Sequence, residues 1–459
     1  MLLRQAELHE RAGQLAKFRG DSADARSHYG QAILGYEELG LTHPAARVTA
    51  SLGVAIWHLE ADIEQGIGEM ERAYSVLAGD EHDADLAVLT VQLARALYFS
   101  GQVDEAMEKN ELALEMAEAL DLPDVLSHGL NTKAALLYFG RNRRREGILL
   151  MRHALEIALA NDRVEPALRA YNNLAAFLDN EGLQRESNAI AEGFLELARR
   201  VGDVGGMMQA TAWQAGSLLN LGDWDRALEL VETVSSDDRV HVASQMLQAN
   251  VAAIALLRGD LDRARTWLAE TREQVDPNEA QSVAGYEVWQ AGLLVREGRS
   301  EDALAAAERV LALRDKLGIT SGFIPFALES ALLAAADLRN KEKFDEVFSI
   351  IEQAPPGHVT PHLRALGARF AARRATLEGD PGPAEVGFTA AARLYGELAW
   401  PFERAEVLLE HAEWLASEGR GADAEPLAAE AREIFERLRA KPYIERLDRL
   451  PVAATTPAG

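Results

Sequence analysis

Six side chains share one register along the chain and, with a seventh beside one of them, could together hold an extended ligand. Nine residues ahead of successive Gly or Asn turns stand Gln92, Lys133, Asn173, Trp213, Asn250 and Trp289, and Asn172 lies one residue before Asn173. A carboxamide can accept from a peptide N–H and donate to a peptide C=O, an ammonium can meet a carboxylate, and an indole can stack on apolar side chains. The ladder therefore suits capture of a peptide rather than bond breaking. A plainer reading stands beside it, in which Asn173 satisfies a neighbouring backbone group and Trp213 and Trp289 fill core.

Reaction motifs are missing from the sequence. There is no Gly-rich phosphate loop ending in Lys-Ser or Lys-Thr, no Gly-x-Ser-x-Gly elbow and no His-Glu-x-x-His zinc helix. The chain is accordingly read as a non-enzyme with no catalytic residue, no cofactor and no metal. Asp80, Glu81, His82, Asp83 and Asp85 have the composition of a metal cluster, but they sit in one short loop with no second His nearby, and they read as helix-capping acids. Arg141, Arg143, Arg144 and Arg145 form the one basic run. It reads as a solvated turn offset by Glu146, too small to imply nucleic acid.

The elements that position the ladder are repeats. A Gly or Asn turn followed five residues later by a small residue recurs at Gly20/Ala25, Gly101/Ala106, Asn142/Gly147, Gly182/Ser187, Gly222/Ala227, Gly259/Ala264, Gly298/Ala303, Gly379/Ala384 and Gly419/Ala424. Weaker copies turn near Ala61 and Glu342, which gives about 11 units spaced about 40 residues apart. Seven residues before each turn another small residue stands, from Gly13 and Ala94 to Ala372 and Ala412, with Val54 the exception. Small residues on facing helices let two backbones approach closely, and a turn Gly takes the left-handed conformation without a Cβ penalty. Asp223 and Asp260, just after their Gly, are placed to cap the helix that follows.

This pattern resembles the tetratricopeptide repeat (TPR) family over about Leu3 to Leu450. It departs in a unit near 40 rather than roughly 34 residues, and in lacking most of the family's early Trp and terminal Pro. The resemblance implies an all-α, right-handed superhelical solenoid of about 11 antiparallel hairpins whose first helices line a concave face. It also implies peptide-clamping roles for Asn173 and Asn250. The stretches from Leu398 to Leu409 and from Ala431 to Tyr443 look like the C-terminal end of two kinds of multidomain bacterial regulator. These are AAA-ATPase-linked adenylate/guanylate cyclases and large ATP-binding LuxR-type transcriptional regulators. The expected function is a non-catalytic protein- or peptide-binding scaffold, the sensory or regulatory region of such a protein. The alternatives are the C-terminal part of a nucleotide cyclase or ATPase whose catalytic domains lie outside this chain, or a peptide-pheromone receptor.

Composition sets outer bounds. The 459 residues carry a formal charge of −26, which argues against direct binding to nucleic acid or an anionic membrane. There is no Cys, and no stretch approaches the roughly 18 uncharged apolar residues of a membrane span, so a cytoplasmic protein is expected. The first helix, with Leu2, Leu3, Ala6 and Leu15, begins without a polar cap, as at a docking edge or where a preceding domain has been lost. Pro355 and Pro356 are the strongest break. The expected division is a repeat array over 1–354, continuing repeats over 355–450 and a disordered tail over 451–459.

Overall fold

Left-handed residues punctuate the chain where the repeat register puts them. Gly20, Gly101, Asn142, Gly182, Gly222, Gly259, Gly298, Gly379 and Gly419 all have φ between 55° and 90°. Each ends one helix and lets the chain reverse into the next. The computed structural model describes residues 1–60, 62–79, 83–233, 241–277 and 279–450, and the expected tail over 451–459 lies outside them.

Among the described residues every regular element is helical. The hairpins run α1 (Leu2–Phe18) with α2 (Ser22–Glu38), α3 (Thr42–Glu60) with α4 (Ile63–Leu77), α5 (Ala84–Phe99) with α6 (Val103–Ala119), and α7 (Pro123–Ala135) with α8 (Arg144–Ala160). They continue with α9 (Val164–Asn180) and α10 (Gln184–Val201), α11 (Val204–Leu221) and α12 (Trp224–Glu232), α13 (His241–Arg258) and α14 (Leu261–Arg272), and α15 (Ala280–Arg296) and α16 (Ser300–Leu311). The short α17 (Arg314–Leu317) precedes α18 (Phe323–Asp337) with α19 (Lys341–Glu352), α20 (Pro361–Glu378) with α21 (Pro381–Leu398), α22 (Pro401–Ser417) with α23 (Gly421–Leu438), and a last helix α24 (Lys441–Leu447). This is a TPR-like helical-repeat solenoid of eleven hairpins. No described helix is long and apolar enough to cross a membrane.

The small residues sit where the hairpins close. Ala25, Ala106, Ser187, Ala303, Ala384 and Ala424 have no exposed surface. Glycine makes the tightest crossing. A Cβ on Gly53 would lie 2.7 Å from the Gly66 carbonyl oxygen, and one on Gly66 would lie 2.8 Å from that of Gly53. Val54 breaks the small-residue series because Gly53, one residue earlier, carries the contact. The turn expected near Glu342 falls earlier, at Arg339 (φ 51°), because the Asn340 side chain accepts from the Lys343 N–H and starts α19 there. Asp260 caps α14 by accepting from the Arg263 N–H. Asp223 makes no such bond, and the Trp224 indole N–H instead donates to the Leu219 carbonyl at 2.9 Å.

The chain divides into two compact units, Met1–Asn173 and Leu174–Gly459. The paired prolines fall inside the second, where a short 3₁₀ turn over Pro356–His358 leads into α20. Within the second unit the last helices return to much earlier turns. Pro401, which opens α22, presses on Gly222, where a Cβ would stand 2.5 Å from the proline Cγ. Pro442 of α24 meets Gly259 in the same way, and Leu398 meets Gly182. Trp224 packs on Phe402 with ring centroids 5.6 Å apart. Asp225 takes Arg258 at 2.8 Å and Arg439 at 2.7 Å. The cassette around Gly222 is thus both a hairpin turn and a seat for the closing hairpin.

Candidate functional site

In the first unit the first helices of successive hairpins, α1, α3, α5, α7 and α9, share a face. Lys17 lies at the end of α1, Trp57 and His58 at the end of α3, Gln92, Arg95, Tyr98 and Phe99 on α5, and Glu165 and Arg169 on α9. Lys17 and Glu165 are nearly 150 positions apart, yet each lies within reach of the other's charge. That proximity requires the face to curve inward. Glu165 keeps 70% of its side chain open to solvent, yet burial is the largest influence on its ionisation. A group both wetted and walled in belongs to a concave surface.

Cations outnumber carboxylates on this face. The Arg95 guanidinium lies over the Trp57 ring at 5.0 Å and near Phe99 at 5.9 Å. Its Nε is buried and has no hydrogen-bond partner. Neither Lys17 nor Arg95 forms an ion pair among the described residues. Arg169 donates to Thr132 Oγ1 and to His128 Nδ1, both at 3.1 Å. That leaves the His128 Nε2–H to donate to Glu165 at 2.6 Å. Burial lowers the pKa of Lys17. Burial, followed by the charges of Arg95 and Lys17, brings the His58 imidazole down to about 4. Burial pushes the Glu165 carboxyl up, but the His128 hydrogen bond and the positive charges around it, Arg169 and Arg95 among them, override it and hold the group at about 2. The Lys17 and His58 shifts follow first from burial, with neighbouring cations adding to them, and the Glu165 shift follows from its hydrogen bond and the cations around it.

The ladder residues read from sequence divide between the two units. In the first, Gln92 is half-buried and its Oε1 is buried without a partner. The Lys133 ammonium is bound to Glu111 at 2.7 Å. Asn173 donates to Asn131 Oδ1 at 2.8 Å, with Asn172 beside it at 3.4 Å. In the second unit, Asn250 of α13 donates to the Ala212 carbonyl of α11 at 3.0 Å, tying two neighbouring first helices together. Trp213 is half-buried on α11. Trp289 of α15 stacks on Phe326 and meets Trp267 edge-on, both at 6.4 Å, and lines a cavity. Of the acidic loop, Asp83 caps α5 through the Leu86 N–H and meets His43 at 3.2 Å, while Asp85 takes Arg47 at 3.3 Å. Of the basic run, Arg141 pairs with Asp104 and Arg143 with Glu146.

Reading only one position per helix misses Lys17, His58, Arg95, Glu165 and Arg169. A helical face repeats every three or four residues. Arg95 stands one turn beyond Gln92, and Arg169 one turn before Asn173. The same spacing carried to Gly419 gives Glu410 and, a turn earlier, Glu406, both buried on Arg369 at 2.7 and 2.9 Å.

Neither a family profile nor a curated protein sequence matches the chain. Solved helical-repeat structures do. A monomeric mutant of IFIT1 with Gppp-AAAA is 14% identical, with 88% of this chain and 90% of that one covered at a TM-score of 0.48. Rap protein complexed with competence and sporulation factor is 12% identical, with 86% and 99% covered at 0.47. The apo quorum sensor NprR from B. thuringiensis is 13% identical, with 84% and 97% covered at 0.42. The likeness lies in the run of helical hairpins alone.

Proposed function

We propose that the chain is a non-catalytic scaffold that captures an acidic peptide segment on the concave face of its first unit. The observation that carries this reading is the set of Lys17, Arg95 and Arg169 on one inward face, with Glu165 the one carboxylate placed among them. Among the described residues Lys17 and Arg95 lack an ion-pair partner, and the buried Nε of Arg95 and Oε1 of Gln92 lack a hydrogen-bond partner. A peptide brings carboxylates for the cations, backbone groups for the Gln92 amide, and apolar side chains for Trp57 and Phe99. The sequence likeness of the closing stretch to bacterial cyclases and LuxR-type regulators supports a sensory or regulatory region. On that reading, capture changes the superhelix pitch and so an effector.

Anisotropy with a fluorescein-labelled acidic nonapeptide, against the same peptide with Gln and Asn for its acids, tests the claim. The acidic form binds more tightly, and Lys17→Ala with Arg95→Ala weakens it by about tenfold or more, since a charge-assisted contact contributes roughly 1.5–3 kcal/mol. Equal binding of both peptides, or indifference to the double variant, overturns it. A single-stranded RNA that displaces the peptide would also overturn it, as would micromolar ATP binding by calorimetry. Small-angle scattering unchanged at saturation would remove the pitch step.

A further inference from the structure

The second unit holds a cavity of about 100 Å³ between α11, α12, α13, α15, α18 and α22. At one water per roughly 10–15 Å³ by this measure, it has room for a molecule the size of a single amino acid. Its walls are aromatic, with Trp224, Trp289, Phe326 and Phe402. Glu329, Glu403, Glu406 and Arg296 supply the charge. Glu329 and Glu406 are already committed to the fully buried Arg369, at 2.6 and 2.9 Å.

Two polar groups are left over. Glu403 Oε2 is buried and accepts no hydrogen bond. Arg296 donates through Nη1 to the Gly292 carbonyl at 3.1 Å and through Nη2 to the Tyr443 hydroxyl at 3.3 Å, but its Nε is buried and unpartnered. The two line the same cavity and do not pair with each other. An orphaned buried donor and an orphaned buried acceptor each carry a desolvation penalty that a ligand can relieve. We propose that this cavity binds a free α-amino acid with an aromatic or large apolar side chain. Its ammonium meets Glu403, its carboxylate meets Arg296, and its side chain lies between Trp289 and Phe326.

Each part of the ligand answers one feature of the pocket. A neutral aromatic would leave both polar groups unpaired. A simple amine would leave Arg296 unpaired, and an aromatic acid would bring no ammonium to Glu403. Burial raises the Glu403 carboxyl to about 8, with Glu329 and Glu406 adding to the rise, so the empty pocket holds it protonated at neutral pH. An entering ammonium favours the carboxylate, and the proton leaves to solvent.

The cavity lies wholly in the second unit, so this inference stands or falls independently of peptide capture by the first. The test is calorimetry with L-phenylalanine, phenethylamine and 3-phenylpropionate, repeated in two buffers of different ionisation enthalpy. L-Phenylalanine binds with proton release, and each truncated probe binds at least about tenfold more weakly. Glu403→Gln, which matches the neutral carboxyl in shape and keeps the fold, abolishes the proton release and the preference for phenylalanine over 3-phenylpropionate. Trp289→Leu weakens all three probes. Phenethylamine or 3-phenylpropionate binding as tightly as phenylalanine overturns the proposal. So does a Glu403→Gln variant that melts like the parent and binds phenylalanine unchanged, or the absence of saturable binding at about 10 mM.

Discussion

His58 is walled in by its surroundings and has three cations, Arg95, Lys17 and Arg169, against one carboxylate, Glu165, within range of its charge, and its imidazole stays neutral down to about pH 4. An anion seated on this face would cancel part of that repulsion. Acidic-peptide binding should therefore raise the His58 pKa toward the ordinary imidazole value, and an NMR pH titration of the His58 ring with and without saturating peptide reads the shift directly. Glu403 gives the opposite sign through stability. Its folded carboxyl titrates near 8 against an ordinary 4.5. Below 4.5 both states are protonated. As pH rises through the window to 8, the unfolded chain ionises first and is favoured. Above 8 the difference levels off. The parent should lose stability relative to Glu403→Gln across that window, by at most ~1.4 kcal/mol per pH unit, measured by urea denaturation at several pH values. Such residues are hard to read from sequence because a charge on a helix looks solvated unless its neighbours in space are known. Asn250, read from sequence as a ligand clamp, also ties two helices together by donating to the Ala212 carbonyl, a contact between repeats that the sequence does not display.

Hairpins were legible because their determinants are local. A turn Gly, a cap and a small residue at fixed spacing encode each one, and all nine strong turns adopt the left-handed conformation. What local spacing could not reveal is the second duty of some turns. Gly222 (φ 77°) would place a Cβ against Pro401, whereas Gly419 (φ 75°) has open space around it. Gly419→Ala should cost about 1 kcal/mol of backbone strain alone. Gly222→Ala should cost clearly more, with about 1–3 kcal/mol added by the steric overlap. Thermal or urea unfolding of the two variants checks the difference, and equal losses would show that the α22 seat at Gly222 contributes nothing.

At the scale of the whole chain, the surplus of acid hides an uneven distribution. The formal charge is −26, yet the concave face of the first unit gathers cations, while the second unit buries Arg369 among Glu329, Glu406 and Glu410. Removing one member of a buried ionic network leaves the rest uncompensated. Arg369→Met should cost roughly 3–5 kcal/mol, and adding Glu410→Gln should recover part of it. An unchanged melting temperature would refute the pairing. Net charge read from sequence bounds the class of partner, but it averages over faces that only the curvature of the solenoid separates.

The seats that Gly182, Gly222 and Gly259 offer to Leu398, Pro401 and Pro442 have a further consequence. An open solenoid can gain or lose a unit at little cost, since each repeat touches only its neighbours. In the second unit, inserting or deleting one hairpin between Gly259 and Pro401 would put those seats out of register. Its repeat number is therefore fixed by geometry, and the variation in copy number that lengthens and shortens other repeat arrays is closed to this stretch of the chain.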